Sequence, residues 1–260
     1  MIVDKMYPWD VCSELEHDAE KVNYMLSRYR KQSVKYFKEC KEFPSWVYYK
    51  YTTSDTFNTY VIYFCARSQA KMNDPESGYF AFLDLKEKTV MRTYSLDFTD
   101  GKRRVLQEFR CHFFERYRER VLKDNRLNLA ETASRFFTKN NGCGILLEIN
   151  EKVQKSIEKY SKHATNVFLF PDGIGLGETA NVYEGVMRKD ILPPDAKLMT
   201  WFYMSTFVST QMLYESQKDA LSQLVFNEIE DIKREVSINT SDMNTIVMLN
   251  AMQNDLFHKK

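Results

Sequence analysis

From Asp10 to Phe43 the apolar residues Leu15, Val22, Met25, Leu26, Tyr29, Val34 and Phe37 recur at mixed spacings, mostly three and four, with charges between them. That period predicts a long amphipathic helix, closed by Pro44. The pattern then changes. Trp46–Tyr51 and Thr59–Phe64 are aromatic and β-branched runs that predict strands. Ser68–Ser77 reads as a polar loop, and Tyr79–Leu85 and Thr89–Leu96 predict a hairpin around Lys86-Glu87-Lys88. Four consecutive strands are joined most simply as an antiparallel meander.

Asp100-Gly101 breaks this series. The spacing predicts a helix from Lys102 to about Lys123 and a shorter one over Leu129–Thr138, closed by Asn140-Asn141-Gly142. Gly144–Ile149 predicts a short strand and Glu151–Tyr160 a short helix. Val167–Phe170 and the run from Ile174 predict a hairpin turned by Pro171-Asp172-Gly173. Lys197–Val208 is a strongly apolar strand. Thr210 to about Val236 predicts a long amphipathic helix capped by Ser209 or Thr210, its stripe formed by Met212, Leu213, Ala220, Leu221, Leu224, Val225 and Ile232. A last helix is expected over Asp242–Phe257, capped by Thr240 or Ser241. Strands and helices do not alternate regularly, so the expected class is α+β: an antiparallel-rich sheet flanked by helices, with long N-terminal and C-terminal helices. The expected segments are an N-terminal helix (1–43), an α+β core (44–209) and a C-terminal helical segment (210–260).

Composition narrows the class without naming a function. The 260 residues are 43% hydrophobic and 28% charged, with 8 Gly and 6 Pro, which suits a packed core and excludes collagen-like or linker-rich chains. The net charge of +1 excludes a polycation coated for nucleic acid, though not a local basic patch. The five cysteines, Cys12, Cys40, Cys65, Cys111 and Cys143, are scattered and form no C-x-x-C pair, so neither a disulfide framework nor a zinc knuckle is expected. MIVDKMYPWD lacks the apolar core of a signal peptide, and no run approaches the ~18 apolar residues of a membrane span. A cytoplasmic protein without a membrane partner is expected. His17 lies between Glu16 and Asp18 on the first helix and no H-E-x-x-H occurs, so neither a metal site nor any cofactor is expected. Gly173-x-Gly175-x-Gly177 is not a dinucleotide fingerprint; alternate glycines in a strand mark a bulge or a close backbone approach. Met243, Met248 and Met252 suit helix packing or a methionine-rich groove for a partner.

Charge is uneven. From Lys102 to Arg126 nine Lys/Arg stand against four Asp/Glu, so the rest of the chain is net acidic. On the predicted helix, Leu106, Phe109, Phe113, Tyr117 and Val121 form one apolar sector at about 100° per residue. His112, Arg116 and Arg120, at i, i+4 and i+8, line a row in or at the edge of that sector, while Glu115, Arg118 and Glu119 point outward. An inward arginine requires a partner. The partner is either an internal carboxylate such as Asp84, Asp97 or Glu148, or an anionic ligand such as phosphate, which guanidinium grips in bidentate fashion. Histidine adds proton transfer. Arg103, Arg104 and Arg110, on the same predicted helix, are candidate RNA contacts.

The string His112-Phe113-Phe114-Glu115-Arg116-Tyr117-Arg118-Glu119-Arg120 resembles the H-x-x-x-R-x-x-x-R helix of small bacterial ribonuclease toxins of the barnase/EndoU/colicin/RelE-like group. Phe170–Gly177 and Met204–Ser209 resemble that group's closing strands, in which a Ser or Thr lies beside the scissile phosphate. The resemblance implies a metal-independent ribonuclease of toxin or defence type, with His112, Arg116, Arg120 and Thr206 as catalytic residues and a cognate inhibitor protein as partner. A base would take the proton of an RNA 2′-hydroxyl, which attacks phosphorus, and arginines would stabilise the added charge. Tyr117, about 140° round from His112, is a poor second proton carrier; His163 is the other candidate. In strand Lys197–Val208, Thr200 and Thr206 share one face and Ser205 the other. The alternative is a non-catalytic accessory or interaction protein of a mobile element that assembles, as a homo-oligomer, through its terminal helices.

Overall fold

The computed structural model describes residues 1–85, 90–99, 103–140, 144–161, 163–184, 198–234 and 240–253. The chain divides into two compact units that interleave along the sequence: 1–111, 126–142 and 179–203 form one, and 112–125, 143–178 and 204–260 the other.

The first unit is built on five strands: β1 (Ser45–Thr52), β2 (Thr59–Ala66), β3 (Glu76–Leu85), β4 (Val90–Thr99) and β5 (Arg103–Arg110). They lie in chain order, each antiparallel to the next. The meander expected from the aromatic runs is present, and β3 begins within the stretch read as a loop. The Lys86–Lys88 link and Asn141-Gly142 fall outside the described residues. Helix α1 (Pro8–Glu39) covers one face of these strands. Its proline sits at the first turn, where no N–H is needed. Trp9, Val11, Cys12, Leu15, Val22 and Phe37 are buried and meet Tyr60, Ile62, Phe64, Ala81, Tyr94 and Leu106. Helix α3 (Leu129–Asn140) covers the other face, where Phe136 and Phe137 pack edge-on against Phe109 and Phe137 lies against Phe80 and Tyr63. A strand covered on both faces needs apolar residues on both, hence the unbroken Tyr60–Ala66 run.

The predicted Lys102–Lys123 helix is corrected. Arg103–Arg110 is strand β5, and only Cys111–Tyr117 is α-helical (α2). Val105, Leu106, Gln107, Glu108 and Phe109 are all buried, so this segment carries no two-residue alternation to betray a strand.

In the second unit β6 (Ile145–Glu148), β7 (Asn166–Phe170) and β8 (Gly173–Tyr183) pair antiparallel, and β9 (Leu198–Ser209) lies beside β8. Helices α4 (Glu151–Ile157), α5 (Glu215–Arg234) and α6 (Thr240–Gln253) close one face over Leu147, Val167, Leu169, Ile174, Leu176 and Val208. The expected long helix from Thr210 is likewise corrected: Thr210–Met212 is a separate 3₁₀ turn, and α5 starts at Glu215. Leu213, Ala220, Leu221 and Val225 of its predicted stripe are buried, whereas Met212 is exposed. Among the described residues no helix is long and apolar enough to cross a membrane.

Candidate functional site

Helix α2 lies on the face of β7–β9 opposite α5. The Phe113 ring meets Phe170 and Phe207 edge-on, and Tyr117 meets Phe207 at 5.1 Å between centroids. The close approach uses Gly175: a Cβ there would sit 2.9 Å from Phe170 and 3.1 Å from Phe113. Neighbouring Gly173 has φ of 155°, which lets the Pro171-Asp172 turn enter β8. Asp172 accepts a 2.6 Å hydrogen bond from the Tyr117 hydroxyl, tying the turn to the helix. Sequence reasoning had no role for this pair, because its members are 55 residues apart.

With Phe113, Phe114 and Tyr117 buried, α2 turns His112 and Arg116 outward. Arg116 Nε donates to His112 Nε2 at 3.3 Å, and His112 Nδ1 lies 3.4 Å from Glu115 Oε2. A guanidinium can only donate, so Nε2 offers a lone pair and the proton of the neutral ring sits at Nδ1, facing Glu115. At that distance Glu115 is a charge beside the ring rather than a hydrogen-bond partner that fixes it. Arg116 Nη1 also donates to Glu119 at 2.8 Å. The spacing i, i+3 makes both carboxylates natural partners, though the sequence had read them as outward surface charges. The partner of Arg116 is therefore on its own helix.

The helix ends in a wider π-type turn over Arg118–Leu122, with the Lys123 N–H donating to the Arg118 carbonyl at 2.8 Å. Such turns recur at functional sites. Arg120 lies in this turn, half-buried, and its Nη1 donates to the Phe207 carbonyl. Burial first, and the like charge of Arg116 second, lower its pKa; Glu119 acts the other way. Among the described residues no carboxylate oxygen lies within 4.0 Å of this guanidinium.

The structure brings His112, Arg116 and Arg120 onto one short segment but not Thr206. Strand alternation puts Thr206 on the face of Val208, which packs in the core under α5. Ser205 shares the Phe207 side, and its Oγ donates to the Leu176 carbonyl at 2.9 Å. His163 is exposed before β7. The basic residues of β5 do not continue the row, because they lie on a strand. Arg104 pairs with Glu16 at 2.8 Å and lies over the Trp9 ring, a contact within the first unit. Arg110 is exposed over Tyr203, and of Arg103 only the backbone in β5 is described.

One further polar cluster lies in the first unit. His17, Asp18 and Asp55 bring ligand atoms within 4.8 Å of one another. Lys21 and His17 both bond Asp55, while Asp18 accepts from Thr56, Asn58 and Tyr60. The cysteines are free thiols where described, and burial pushes Cys12 up to about 12 and Cys65 up to about 11, so neither is a nucleophile near neutrality. No family model matches the chain, and neither a curated protein nor a solved structure matches it.

Proposed function

We propose that the chain is a metal-independent ribonuclease in which His112, Arg116 and Arg120 hold and cleave an RNA phosphodiester. The observation that carries this reading is Arg120: a half-buried guanidinium, fixed by a backbone carbonyl, on which the like charge of Arg116 acts more strongly than the carboxylate of Glu119. A bound anion relieves both the lost hydration and the repulsion between the two cations. Phosphate suits paired guanidinium groups best, because each offers a planar fork of donors.

When Arg116 turns its Nε–H from His112 Nε2 to the phosphate, the freed Nε2 lone pair takes the proton of the 2′-hydroxyl, and the 2′-oxygen attacks phosphorus. Arg116 and Arg120 meet the negative charge that grows on the non-bridging oxygens. The P–O5′ bond breaks, the 5′-oxygen leaves with a proton from a solvent water, and a 2′,3′-cyclic phosphate results. Glu115, 3.4 Å from Nδ1, is a positioning residue whose carboxylate faces the imidazolium formed in this step. The test is incubation of the purified full chain with total RNA in EDTA, beside His112→Ala. Cleavage to cyclic-phosphate ends that persists in EDTA and is lost in His112→Ala supports the reading. Equal cleavage by the variant, or none by either protein, overturns it.

A second reading rests on α6. Ile246 and Leu249 are buried, yet Met243, Val247 and Met248 on the same helix are exposed, which suits assembly through the terminal helices. Sedimentation of the wild type beside Met243→Glu/Val247→Glu reads it: a dimer lost in the variant supports it, and a monomer in both rejects it.

A further inference from the structure

We infer that Tyr214 and Lys159 form a stacking and phosphate subsite for a single-stranded RNA, next to the arginine row of the second unit. Tyr214 is 67% exposed, an unusual position for a large ring. The Lys159 ammonium lies 3.8 Å from the centre of its ring and 4.5 Å from that of Tyr160. Tyr160 and Arg120 are tied to carbonyls only five residues apart around the end of β9, those of Met212 and Phe207. Lys159 thus sits between the Tyr160 and Tyr214 rings, with the Arg120 guanidinium anchored close by. Cations beside rings are how sequence-tolerant single-strand sites are built: cations follow the backbone, and rings receive bases.

The platform is held in place. The Tyr214 N–H donates to Gln217 Oε1 at 3.0 Å, and the Gln217 amide donates to the Ser156 carbonyl. Gln217 is buried, so this bridge fixes the start of α5 against α4. The Tyr160 hydroxyl donates to the Met212 carbonyl at 2.6 Å, which adds a second tie two residues before Tyr214. A shallow concavity of about 490 Å³ beside the ring is lined by Lys155, Ser156, Glu158, Lys159, Ser216 and Gln217, so two lysines there face one carboxylate. The backbone that carries the ring is thus already ordered, which lowers the cost of binding. A duplex keeps its bases stacked inside and offers the ring no face, so a single strand is the occupant.

The inference rests on the RNA reading of the arginine row but is tested by binding, not by cleavage. The probe is a short fluorescein-labelled oligouridylate with 2′-O-methyl groups, which lacks the attacking hydroxyl. Anisotropy titration should show Tyr214→Ala binding about tenfold more weakly, with Tyr214→Phe close to wild type. The same oligomer annealed to its complement should bind both proteins alike. Wild-type affinity in Tyr214→Ala, an equal loss in Tyr214→Phe, or an equal loss on the duplex would overturn the subsite, as would absence of binding by the wild type. If binding depends on Tyr214 while total RNA stays intact in every condition, the cleavage reading fails and the subsite stands. An unchanged melting temperature for Tyr214→Ala confirms that the fold is preserved, as expected for an exposed ring.

Discussion

The Asp18 cluster in the first unit and the arginine row in the second are both polar groups gathered around a helix, and they are finished differently. Asp18 is fully buried, and its carboxylate accepts from the Thr56 hydroxyl, the Asn58 amide at 2.8 Å and the Tyr60 hydroxyl at 2.9 Å. Asn58 also donates to Glu14 and accepts from the Ile2 N–H through its side-chain oxygen. Burial, and then the bond to Asp18, hold the Tyr60 phenol well above its ordinary range. Every strong group there has a partner inside the protein. In the arginine row, Arg120 has lost water and gained one carbonyl, and a second cation stands beside it. A closed network specifies a structure; a cation short of counter-charge leaves room for a ligand.

The largest expected effect tests the closed half. Asp18→Ala strands donors from three side chains in a buried site. Each stranded group costs about 1–3 kcal/mol, so a loss of about 3 kcal/mol or more is expected in denaturant unfolding. A midpoint equal to wild type would show that the network does not hold α1 to the sheet.

The open half responds in the opposite way. Arg116 is 37% exposed and Glu119 45%, and their i, i+3 pair adds about 0.3–0.5 kcal/mol at most. Arg116→Ala should therefore unfold within about 0.5 kcal/mol of wild type, while RNA cleavage falls on the order of 10²-fold. Had the arginine been one half of a buried pair, the folding loss would be about 3–5 kcal/mol instead. Wild-type cleavage by a stable Arg116→Ala protein would leave the row an ordinary surface. Arg120→Ala separates these less cleanly, because it also strips the Phe207 carbonyl of its donor.

How far this contrast was legible in the sequence depends on the kind of partner. The meander was legible because β1 to β4 carry long aromatic and β-branched runs, and the β7–β8 hairpin because Pro171-Asp172-Gly173 signals a turn on its own. The contact between His112 and Arg116 was legible because helical spacing fixes i, i+4 neighbours. Strand β5 was not, since Val105, Leu106 and Phe109 fit a helical sector as well as they fit a strand buried on both faces. The support under Arg120 was illegible in principle, because a backbone carbonyl leaves no mark in the residue pattern. Thr206 entered the row only through the resemblance of Met204–Ser209 to closing strands, and which face of β9 meets α2 depends on tertiary packing. Phe207, not its neighbour, fills the space under Tyr117.

Tyr117→Phe probes a closed bond under the open row, within the second unit. It keeps the ring against Phe207 and removes only the 2.6 Å bond to Asp172. A loss of about 1 kcal/mol is expected. If the bond also holds α2 in register over the turn, cleavage should fall by more than the stability change explains. Equal cleavage at a temperature where both proteins are folded would confine the pair to stability.

The smallest effect lies at the rim of the Asp18 cluster. The bond from Lys21, with a further one from His17, holds the exposed Asp55 carboxyl well below the usual carboxylate range. Asp55 in turn holds the Lys21 ammonium above its ordinary value. For a carboxylate whose folded pKa is depressed, the contribution is full above the unfolded value, near 3.9 by the usual estimate of about that size, and is lost as pH falls through the folded value. For an ammonium whose folded pKa is raised, it is full below the unfolded value and is lost as pH rises through the folded one. The pair therefore stabilises across the whole neutral range and weakens only at the two extremes. Asp55→Asn should melt slightly below wild type near neutrality, and the two curves should converge in strong acid as the wild-type carboxylate takes up its proton. Added salt should narrow the neutral gap, since both groups face solvent. A gap that persists unchanged into strong acid would mean that Asp55 acts through its hydrogen bonds rather than its charge, and the rim would then belong to the closed network of Asp18.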